Sequence, residues 1–272
     1  NTTERKYANE IAYALRERGR WKRTGNIEPF YYKGDIVRFP EDGTYPCGPC
    51  DFVGDSFEEL EEHYAEVHDG DLRARYEDLG IDSENPSGPV FNDGRFKDVK
   101  AIGWVVDDYN RAQIRINLNN YKVSPAHEVF EAAREEASKR GIAITGSEIV
   151  GVVPYEAMRQ SAVYYLRRMR KSTGVPVPDL VETAIQSLGL RDVAPFETEE
   201  KVLGMPKANG PLAQRTSFDF VDAVSRDSPA PGGGSVAALA GALGGALAAM
   251  VANLSVSKGD FDSQYEALCK VA

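Results

Sequence analysis

The spacing of hydrophobic residues in the first part of the chain predicts a helix and, further on, two strands. Residues 3–18 carry apolar side chains at helical spacing. Residues 99–107 and 113–118 are rich in β-branched side chains, and residues 108–110 supply a turn between them. We therefore expect an amphipathic helix and, after a long interruption, a β-hairpin.

The pattern then predicts a second helix and a third strand. Ser124 is suited to be an N-cap with Pro125 at the first helical position, and the amphipathic pattern continues to about Arg140. Gly141 follows, where a left-handed residue commonly ends a helix. Residues 142–153 form a third β-rich run.

A further helix is predicted from Pro154 to about Met169, which gives the order helix, insertion, strand, strand, helix, strand, helix. This order indicates an α+β fold, close to a split βαβ, ferredoxin-like layer of sheet and helices that lacks its first strand. We expect residues 1–205 to form this layer, with an insertion at 21–95. The insertion is rich in Gly, Pro and Asp, so we expect loops to tether it to the larger body.

The insertion contains a motif with the spacing of a two-Cys, two-His zinc site. Its turn, Gly48-Pro49, would bring two thiolates to one ion. The four candidate ligands are Cys47, Cys50, His63 and His68.

A helix that would carry both histidines is also predicted from local signals. Ser56 and Glu59 form a capping box at its start. An apolar stripe at helical spacing follows on one side. Its members are Phe57, Leu60, Tyr64 and Val67.

The motif also permits two other interpretations, redox activity and nucleic-acid binding. Cys-Gly-Pro-Cys is also a thioredoxin-type redox tetrapeptide, but such a motif opens a helix, and Gly54-Asp55 disfavours a helix from Cys50. Nucleic-acid binding is disfavoured by charge, because residues 47–68 contain no Lys or Arg and the helix positions that would face bases include Glu59 and Glu62. The metal is therefore expected to be structural.

Overall charge and cysteine content agree with that expectation. The chain has 42 acidic and 32 basic residues and a net charge of −10, which opposes binding to a phosphate backbone. Only three cysteines are present, which is typical of a reducing compartment, so we expect a cytoplasmic protein. The missing initiator Met and a helical pattern that runs to the last residue indicate a fragment.

A glycine-rich boundary precedes the last part of the chain. We expect residues 206–216 to be a linker and residues 217–272 to begin an all-α helical domain. Residues 235–254 carry no charge, which raises the possibility of a membrane span, but their Ala and Gly content and the absence of basic or aromatic anchors favour a helix buried in a bundle. Gly232, Gly233 and Gly234 would let a ligand approach the backbone at a helix N-terminus, or would simply form a tight turn.

Several stretches resemble a known family. The run Val-Lys-Ala-Ile-Gly-Trp-Val-Val, which opens residues 99–120, resembles the C-terminal subdomain of glutamate formiminotransferase, as do residues 144–154 and 188–196. Residues 2–20 resemble its opening helix. The insertion is a departure from that family. Pro-Gly-Gly-Gly-Ser at 231–235 resembles the opening of the formiminotetrahydrofolate cyclodeaminase domain, where it lies by the folate pocket.

Together these resemblances imply a bifunctional formiminotransferase-cyclodeaminase. The family moves a formimino group from N-formimino-L-glutamate to tetrahydrofolate and closes the product to 5,10-methenyltetrahydrofolate with release of ammonia. The resemblance implies ring-like homo-oligomers, and places the catalytic His and Asp outside this chain, so the fragment alone is expected to be inactive. Neither nucleic acid nor membrane is expected as a partner.

The resemblance suggests candidate ligand-binding residues, each with an ordinary alternative. Arg16 would bind folate or glutamate carboxylates, or would be a solvated helix residue. Ser147 and Glu148 would line the same cleft, or would pair by hydrogen bonds at a strand edge. Gly232–Gly234 and Ser235 would contact folate. His127 is expected to be packed rather than catalytic.

Two alternatives for the whole protein remain. One is a partner-binding protein in which the zinc-finger-like insertion recruits the partner and the enzyme halves have decayed. The other is a transferase fused to a methenyltetrahydrofolate cyclohydrolase-like domain.

Overall fold

The computed structural model describes five stretches, residues 1–21, 45–83, 91–108, 110–258 and 262–271. The chain divides into two compact units, Asn1–Thr145 and Gly146–Ala272. The described part is a mixture of helices and small sheets, as expected of an α+β protein. The predicted domain boundaries near residues 205 and 217 stay predictions.

The first unit contains four helices and six strands among its described residues. The helices are α1 (Arg5–Leu15), α2 (Phe57–His68), α3 (Leu72–Asp78) and α4 (Ala126–Ser138). The strands are β1 (Arg18–Trp21), β2 (Tyr45–Pro46), β3 (Val53–Gly54), β4 (Phe91–Asp93), β5 (Val99–Val106) and β6 (Arg111–Leu118). They pair antiparallel, β1 with β4, β2 with β3 and β5 with β6.

The predicted hairpin is confirmed, and α1 and α4 contribute to the core beside it. The β5–β6 register runs from Val99↔Leu118 to Val106↔Arg111. One buried cluster joins the two helices to the start of β5, and apolar side chains of β6 pack against it. Its members are Ile11, Leu15, Phe96, Val99, Val129, Ala132, Ala133 and Ala137.

Gly103 is the point of closest approach between α1 and β5. Its amide donates to Asn9 Oδ1 at 2.9 Å, and its carbonyl accepts from Arg5 Nε at 3.2 Å. A Cβ at this position would collide with the α1 backbone at Asn9. The helix therefore rests directly on the strand.

Two details of the predicted elements were wrong. The first helix ends at Leu15, because the chain turns there into β1. The second helix is capped by Pro125, since the Ser124 hydroxyl instead donates to the carbonyl of Lys97 at 2.6 Å. Gly141, by contrast, has the expected left-handed conformation, with φ of 68°.

The predicted strand over 142–153 was also wrong. Only Val153–Pro154 is a strand. Upstream, the Ile142 amide donates to Ala137 at the end of α4, and the Ala143 amide donates to the Asn1 side chain. These amides are hydrogen-bonded to a helix end and a side chain rather than to a neighbouring strand, so no ladder forms there.

The second unit is mainly helical. Its helices are α5 (Tyr155–Arg168), α6 (Val177–Leu188), α7 (Thr198–Lys201), α8 (Ser217–Val224), α9 (Gly233–Lys258) and α10 (Tyr265–Val271). Its strands β7 (Val153–Pro154) and β8 (Val202–Leu203) pair in parallel. The helix predicted from Pro154 to about Met169 is confirmed as α5, which Pro154 caps. All sheets in the described stretches have two strands, so the ferredoxin-like layer stays a prediction.

The long helix α9 is held at its C-terminal half. Asn253 Nδ2 in α9 donates to the backbone carbonyl of Gly174 at 3.0 Å. In the following helix α10, the Tyr265 hydroxyl donates to the backbone carbonyl of Lys171 at 2.7 Å. By length and composition, residues 233–256 could cross a membrane, with a mean hydropathy of 1.9. Most of the large apolar side chains of α9 are exposed in the described residues, so the expected burial in a bundle is not seen there, and the prediction of no membrane contact stays a prediction.

Candidate metal centre and ligand-binding residues

The four predicted ligands come together in the first unit. Their donor atoms all lie within 4.8 Å of one another. Cys47 Sγ lies 3.4 Å from His68 Nε2, and Cys50 Sγ lies 3.2 Å from His63 Nε2. A tetrahedral zinc ion, with Zn–S near 2.3 Å and Zn–N of about 2.0–2.1 Å, holds sulfur and nitrogen about 3.5 Å apart. The donor set and its spacing therefore fit such an ion.

Two short strands and one helix position these ligands. The β2–β3 pair closes the turn that carries both cysteines, and the Cys47 amide donates to the carbonyl of Phe52 at 2.8 Å. Helix α2 supplies both histidines and ends at His68. The Phe52 ring stacks on the His63 ring with centroids 3.9 Å apart, which fixes the orientation of that imidazole.

The predicted capping box is present with one difference. Ser56 Oγ accepts from the Glu59 amide at 3.2 Å, as expected. The Glu59 carboxylate accepts in return from the Asp55 amide at 2.9 Å, one residue before the cap. Two backbone amides at the start of α2, those of Asp55 and Glu59, thus find side-chain acceptors.

A small core surrounds the cluster. Three of the four predicted stripe residues are buried, but Val67 is 59% exposed and was wrongly placed. Helix α3 was not predicted. The sequence signals for it are the N-cap Asp71, whose Oδ1 accepts from the Ala74 amide at 3.1 Å, and apolar residues from Leu72 to Leu79. The core consists of Cys47, Phe57, Leu60, Tyr64, Leu72, Tyr76, Leu79 and Ile81.

The surroundings of the cysteines disfavour the redox interpretation. Helix α2 begins at Phe57, so Cys50 does not open a helix as a thioredoxin-type cysteine would. Each thiol faces a histidine ring nitrogen instead of an open surface. This arrangement suits metal binding.

The exposed surface of α2 is acidic. Glu58, Glu59, Glu62 and Glu66 are all exposed on it. A nucleic acid that approached this helix would meet carboxylates rather than the cations that neutralise phosphate. The geometry therefore offers no direct support for a base-reading role.

Arg16 lies just after α1, with its guanidinium directed at the protein backbone. Nη2 donates to the Gly19 carbonyl at 2.9 Å, and Nη1 donates to the Ala101 carbonyl at 3.5 Å. Burial lowers the pKa of Arg16 from its ordinary value. Since these contacts join α1 to β1 and β5, Arg16 has a structural task whether or not it also binds a ligand.

Ser147 and Glu148 belong to the second unit, so they are in a different unit from Arg16. The Ser147 hydroxyl donates to the Leu188 carbonyl at 2.6 Å, and its amide donates to the Gly189 carbonyl at 3.0 Å. Ser147 therefore ties the segment before α5 to the end of α6, rather than to a strand edge. Glu148, the next residue, is partly exposed.

The glycine-rich segment lies at the start of α9. The helix begins at Gly233, so Gly233 and Gly234 are in its first turn and only Gly232 precedes it. An added Cβ at Gly233 or Gly234 would meet nothing within 4 Å. With Ser235, these residues present an open helix N-terminus, where backbone amides lack intrahelical partners.

His127 is buried in α4, as expected of a packed residue. Burial lowers the pKa of His127, and the neighbouring Glu128 and Glu131 oppose that shift. The neutral imidazole is therefore favoured in the folded chain.

Comparison with known sequences defines the class of protein. The Formiminotransferase domain family matches residues 1–205, and the Formiminotransferase-cyclodeaminase family matches residues 216–272. The chain therefore belongs to the formiminotransferase family.

Individual relatives agree with this assignment. Formimidoyltransferase-cyclodeaminase of Dictyostelium discoideum is 37% identical over 175 residues, which are 62% of this chain and 32% of that protein. The Mus musculus protein of the same name is 37% identical over 173 residues, with the same coverage. Glutamate formimidoyltransferase of Thermoplasma acidophilum is 40% identical over 75 residues, 28% of this chain and 25% of that protein. The chain thus spans about a third of the length of the longer relatives.

Proposed function

We propose that this chain is part of a bifunctional folate enzyme. The protein would transfer a formimino group from N-formimino-L-glutamate to tetrahydrofolate. It would then cyclise the product to 5,10-methenyltetrahydrofolate and release ammonia. The observation that carries this proposal is the order of the two family matches, a transferase part at 1–205 followed by a cyclodeaminase part at 216–272.

Both steps need proton transfer. A general base must take the proton from the folate amine as it attacks the formimino carbon, and an acid must protonate the departing nitrogen in the second step. We assign the base and the acid to parts of the protein outside this chain. The residues of this chain would bind and orient the substrates.

Two groups of residues are candidates for that binding task. The cationic Arg16 would attract a carboxylate, with its guanidinium fixed by the Gly19 carbonyl. The open N-terminus of α9 at Gly233 and Gly234 would receive an anionic folate group, supported by Ser235. Ser147 and Glu148 would shape the surface near α6.

We further propose that the cluster of Cys47, Cys50, His63 and His68 binds one zinc ion with a structural role. All four positions of a tetrahedral ion would be filled by protein atoms, which leaves none for a substrate. A core of eight buried residues is small, and metal binding would supply the folding free energy that it lacks.

The remaining parts of the proposal concern architecture and location. We propose a ferredoxin-like arrangement for the transferase part, because a helix, a hairpin and a second helix follow in the order that this fold requires. We also propose a cytoplasmic homo-oligomer. Sedimentation of the full-length protein would test its oligomeric state.

The decisive experiment supplies formiminoglutamate and tetrahydrofolate to the full-length protein and follows glutamate, ammonia and methenyltetrahydrofolate together. We expect all three products. Glutamate alone would favour a transferase fused to a different folate domain, such as a cyclohydrolase. None of the three would favour a partner-binding protein with decayed enzyme halves.

A variant at the α9 N-terminus tests the folate site. Gly233→Asp places a carboxylate where we propose that an anion binds, while an acidic residue in the first turn suits the helix itself. We expect the KM for the folate substrate of the cyclisation to rise roughly ten-fold. Gly233→Ala is the matched control, because its Cβ meets nothing and adds no charge. Equal KM values in the two variants would contradict the assignment.

A further inference from the structure

The two ends of the insertion pair with each other as a stem, while residues 22–44 and 84–90 of the expected tethering loops lie outside the described residues. The chain leaves through β1 and returns through β4, which pair with Arg18 opposite Asp93 and Trp21 opposite Phe91. The Trp21 and Phe91 rings meet edge to face with centroids 6.1 Å apart. The stem lies directly beside the C-terminal end of α1.

Arg75, in α3 of the insertion, bridges Glu17, which lies outside the insertion, and Asp93, in the strand that closes it. Its Nη1 lies 3.0 Å from Glu17 Oε1, and its Nη2 lies 2.5 Å from Asp93 Oδ1. The three side chains are between 18% and 30% exposed, so solvent screens this bridge less than it screens a surface pair. These ion pairs raise the pKa of Arg75 against the effect of its burial.

Glu17 is where the bridge meets the α/β layer. Its other carboxylate oxygen accepts from the Asp98 amide at 2.7 Å. Its own amide donates to the Val99 carbonyl at 2.9 Å, and its carbonyl accepts from the Gly94 amide at 3.0 Å. One residue therefore ties together the end of α1, the residue after β4 and the start of β5. We refer to residues 16–18 and 93–99 as the corner.

The metal cluster also touches this region from the other side. Tyr64 packs against the His68 ring with centroids 5.2 Å apart and lines one small cavity together with Arg75. Gly48, between the two cysteines, lies so close to β4 that a Cβ there would stand 2.8 Å from the Phe91 carbonyl oxygen. A continuous set of contacts thus runs from the cluster to the corner.

We propose that the insertion clamps the corner of the transferase layer, with metal occupancy controlling the order of that corner and Arg75 acting as the positioning residue. This inference rests on the proposed metal site. Loss of the metal would release Tyr64 and α3, and with them the guanidinium that holds Glu17 and Asp93. Arg16, the candidate carboxylate-binding residue, lies next to Glu17 and would be displaced with it.

Hydrogen exchange of the full-length, zinc-loaded protein tests the clamp. In Arg75→Met, we expect zinc still to bind and the amides of Gly94 and Asp98 to exchange roughly ten-fold faster, since a charge-assisted contact is lost. Arg75→Lys, which keeps a charge but not the fork, should give an intermediate rate. The control is Arg73→Met, because Arg73 pairs with Glu61 inside the insertion at 2.8 Å and should leave both amides unchanged.

Chelation completes the test. Removing zinc from the wild type should speed amide exchange at Gly94 and Asp98. In Arg75→Met, removing zinc should change these exchange rates little, because the ion pairs with Glu17 and Asp93 are already lost. Zinc binding with wild-type exchange rates in Arg75→Met would overturn the clamp alone. A wild-type chain that binds no zinc would overturn both the clamp and the metal site, while leaving the folate assignment to its own assay.

Discussion

The insertion and the long helix α9 obtain their order in opposite ways. Residues 45–83 of the insertion surround their candidate metal ligands with eight buried residues and cap both of their helices with side chains, Ser56 and Asp71. Helix α9 is 26 residues long, yet most of its large apolar side chains are exposed in the described structure. The short insertion therefore buries a larger share of its apolar side chains than the long helix α9 does, because its side chains pack into one common core.

This difference determines where substitutions should matter. In the insertion each buried side chain contacts the same small core, so the loss of one member affects all the others. In α9 small residues lie on all sides, and no single face carries the packing. We expect large effects in the insertion and small ones along the exposed part of α9.

Metal removal should have the largest effect. Structural zinc sites contribute an apparent binding free energy of about 10–16 kcal/mol, so a strong chelator should unfold α2 and α3. Amide NMR spectra should lose the dispersed signals of residues 45–83 while the signals of α9 persist. Cys269→Ser is the control, because this cysteine lies in α10 of the second unit and is not one of the four clustered ligands, so metal binding should be unchanged. Retention of the insertion signals after chelation would contradict this prediction.

A matched pair of leucine truncations should give the next largest contrast. Leu60 is fully buried, so Leu60→Ala should lower the free energy of unfolding of the insertion by about 2–5 kcal/mol. Leu247 in α9 is 60% exposed, so Leu247→Ala should cost less than about 0.5 kcal/mol. Denaturant titrations of both variants, followed by NMR signals of each region, would measure this. Equal costs would mean that α9 is packed as tightly as the insertion.

Two glycine-to-alanine substitutions should change the free energy of unfolding in opposite directions. Gly103→Ala forces a Cβ into the α1 backbone and should destabilise the first unit by about 1–3 kcal/mol. Gly244 lies inside α9, where a Cβ meets nothing within 4 Å, so Gly244→Ala should stabilise the helix by roughly 0.5–1 kcal/mol. Thermal unfolding of each variant gives the sign. A destabilised Gly244→Ala would reveal a close neighbour of α9.

The smallest expected effect is a pH dependence from His127. Burial holds the pKa of His127 in the folded chain below its ordinary value near 6.5. As the pH falls through that value, the unfolded chain binds the proton first, so stability is complete above it and declines below it. His127→Gln should remove this contribution to the pH dependence of the unfolding free energy.

Acid also releases metal from its ligands, so the comparison must be made between the two proteins. The difference in unfolding free energy between wild type and His127→Gln cancels the metal contribution. It should change between pH 7.5 and pH 5.5 by less than the single-proton limit of about 1.4 kcal/mol per pH unit. A constant difference over this range would contradict the assignment.

The sequence predicted the elements whose signals are local. Three features were predictable: the hairpin of Val99–Val106 with Arg111–Leu118, the helix after Pro125 and the four-ligand cluster. Their signals are the apolar–polar alternation, the helix cap and the ligand spacing, which depend only on residues near one another in the sequence. The helix from Leu72 was missed because it has only seven residues and follows a glycine. Residues 142–152 were wrongly predicted as a strand, because whether a ladder forms depends on a distant partner.

Long-range polar contacts were equally invisible. Nothing near Arg75 indicates that it reaches Glu17 and Asp93, which are distant in the sequence. The family resemblance suggests Arg16 as a ligand-binding residue, yet its contacts are to backbone carbonyls that only the folded chain brings close. Spacing along the chain identifies ligands, whereas positioning residues are identified only from the structure.

Native mass spectrometry of the zinc-supplemented chain tests the metal centre most directly. We expect one zinc ion per chain, lost when Cys47 and His68 are both replaced by alanine and retained in Cys269→Ser. A metal-free chain would contradict the metal site. If its mass were also two hydrogens lower, a Cys47–Cys50 disulfide would favour the redox interpretation instead.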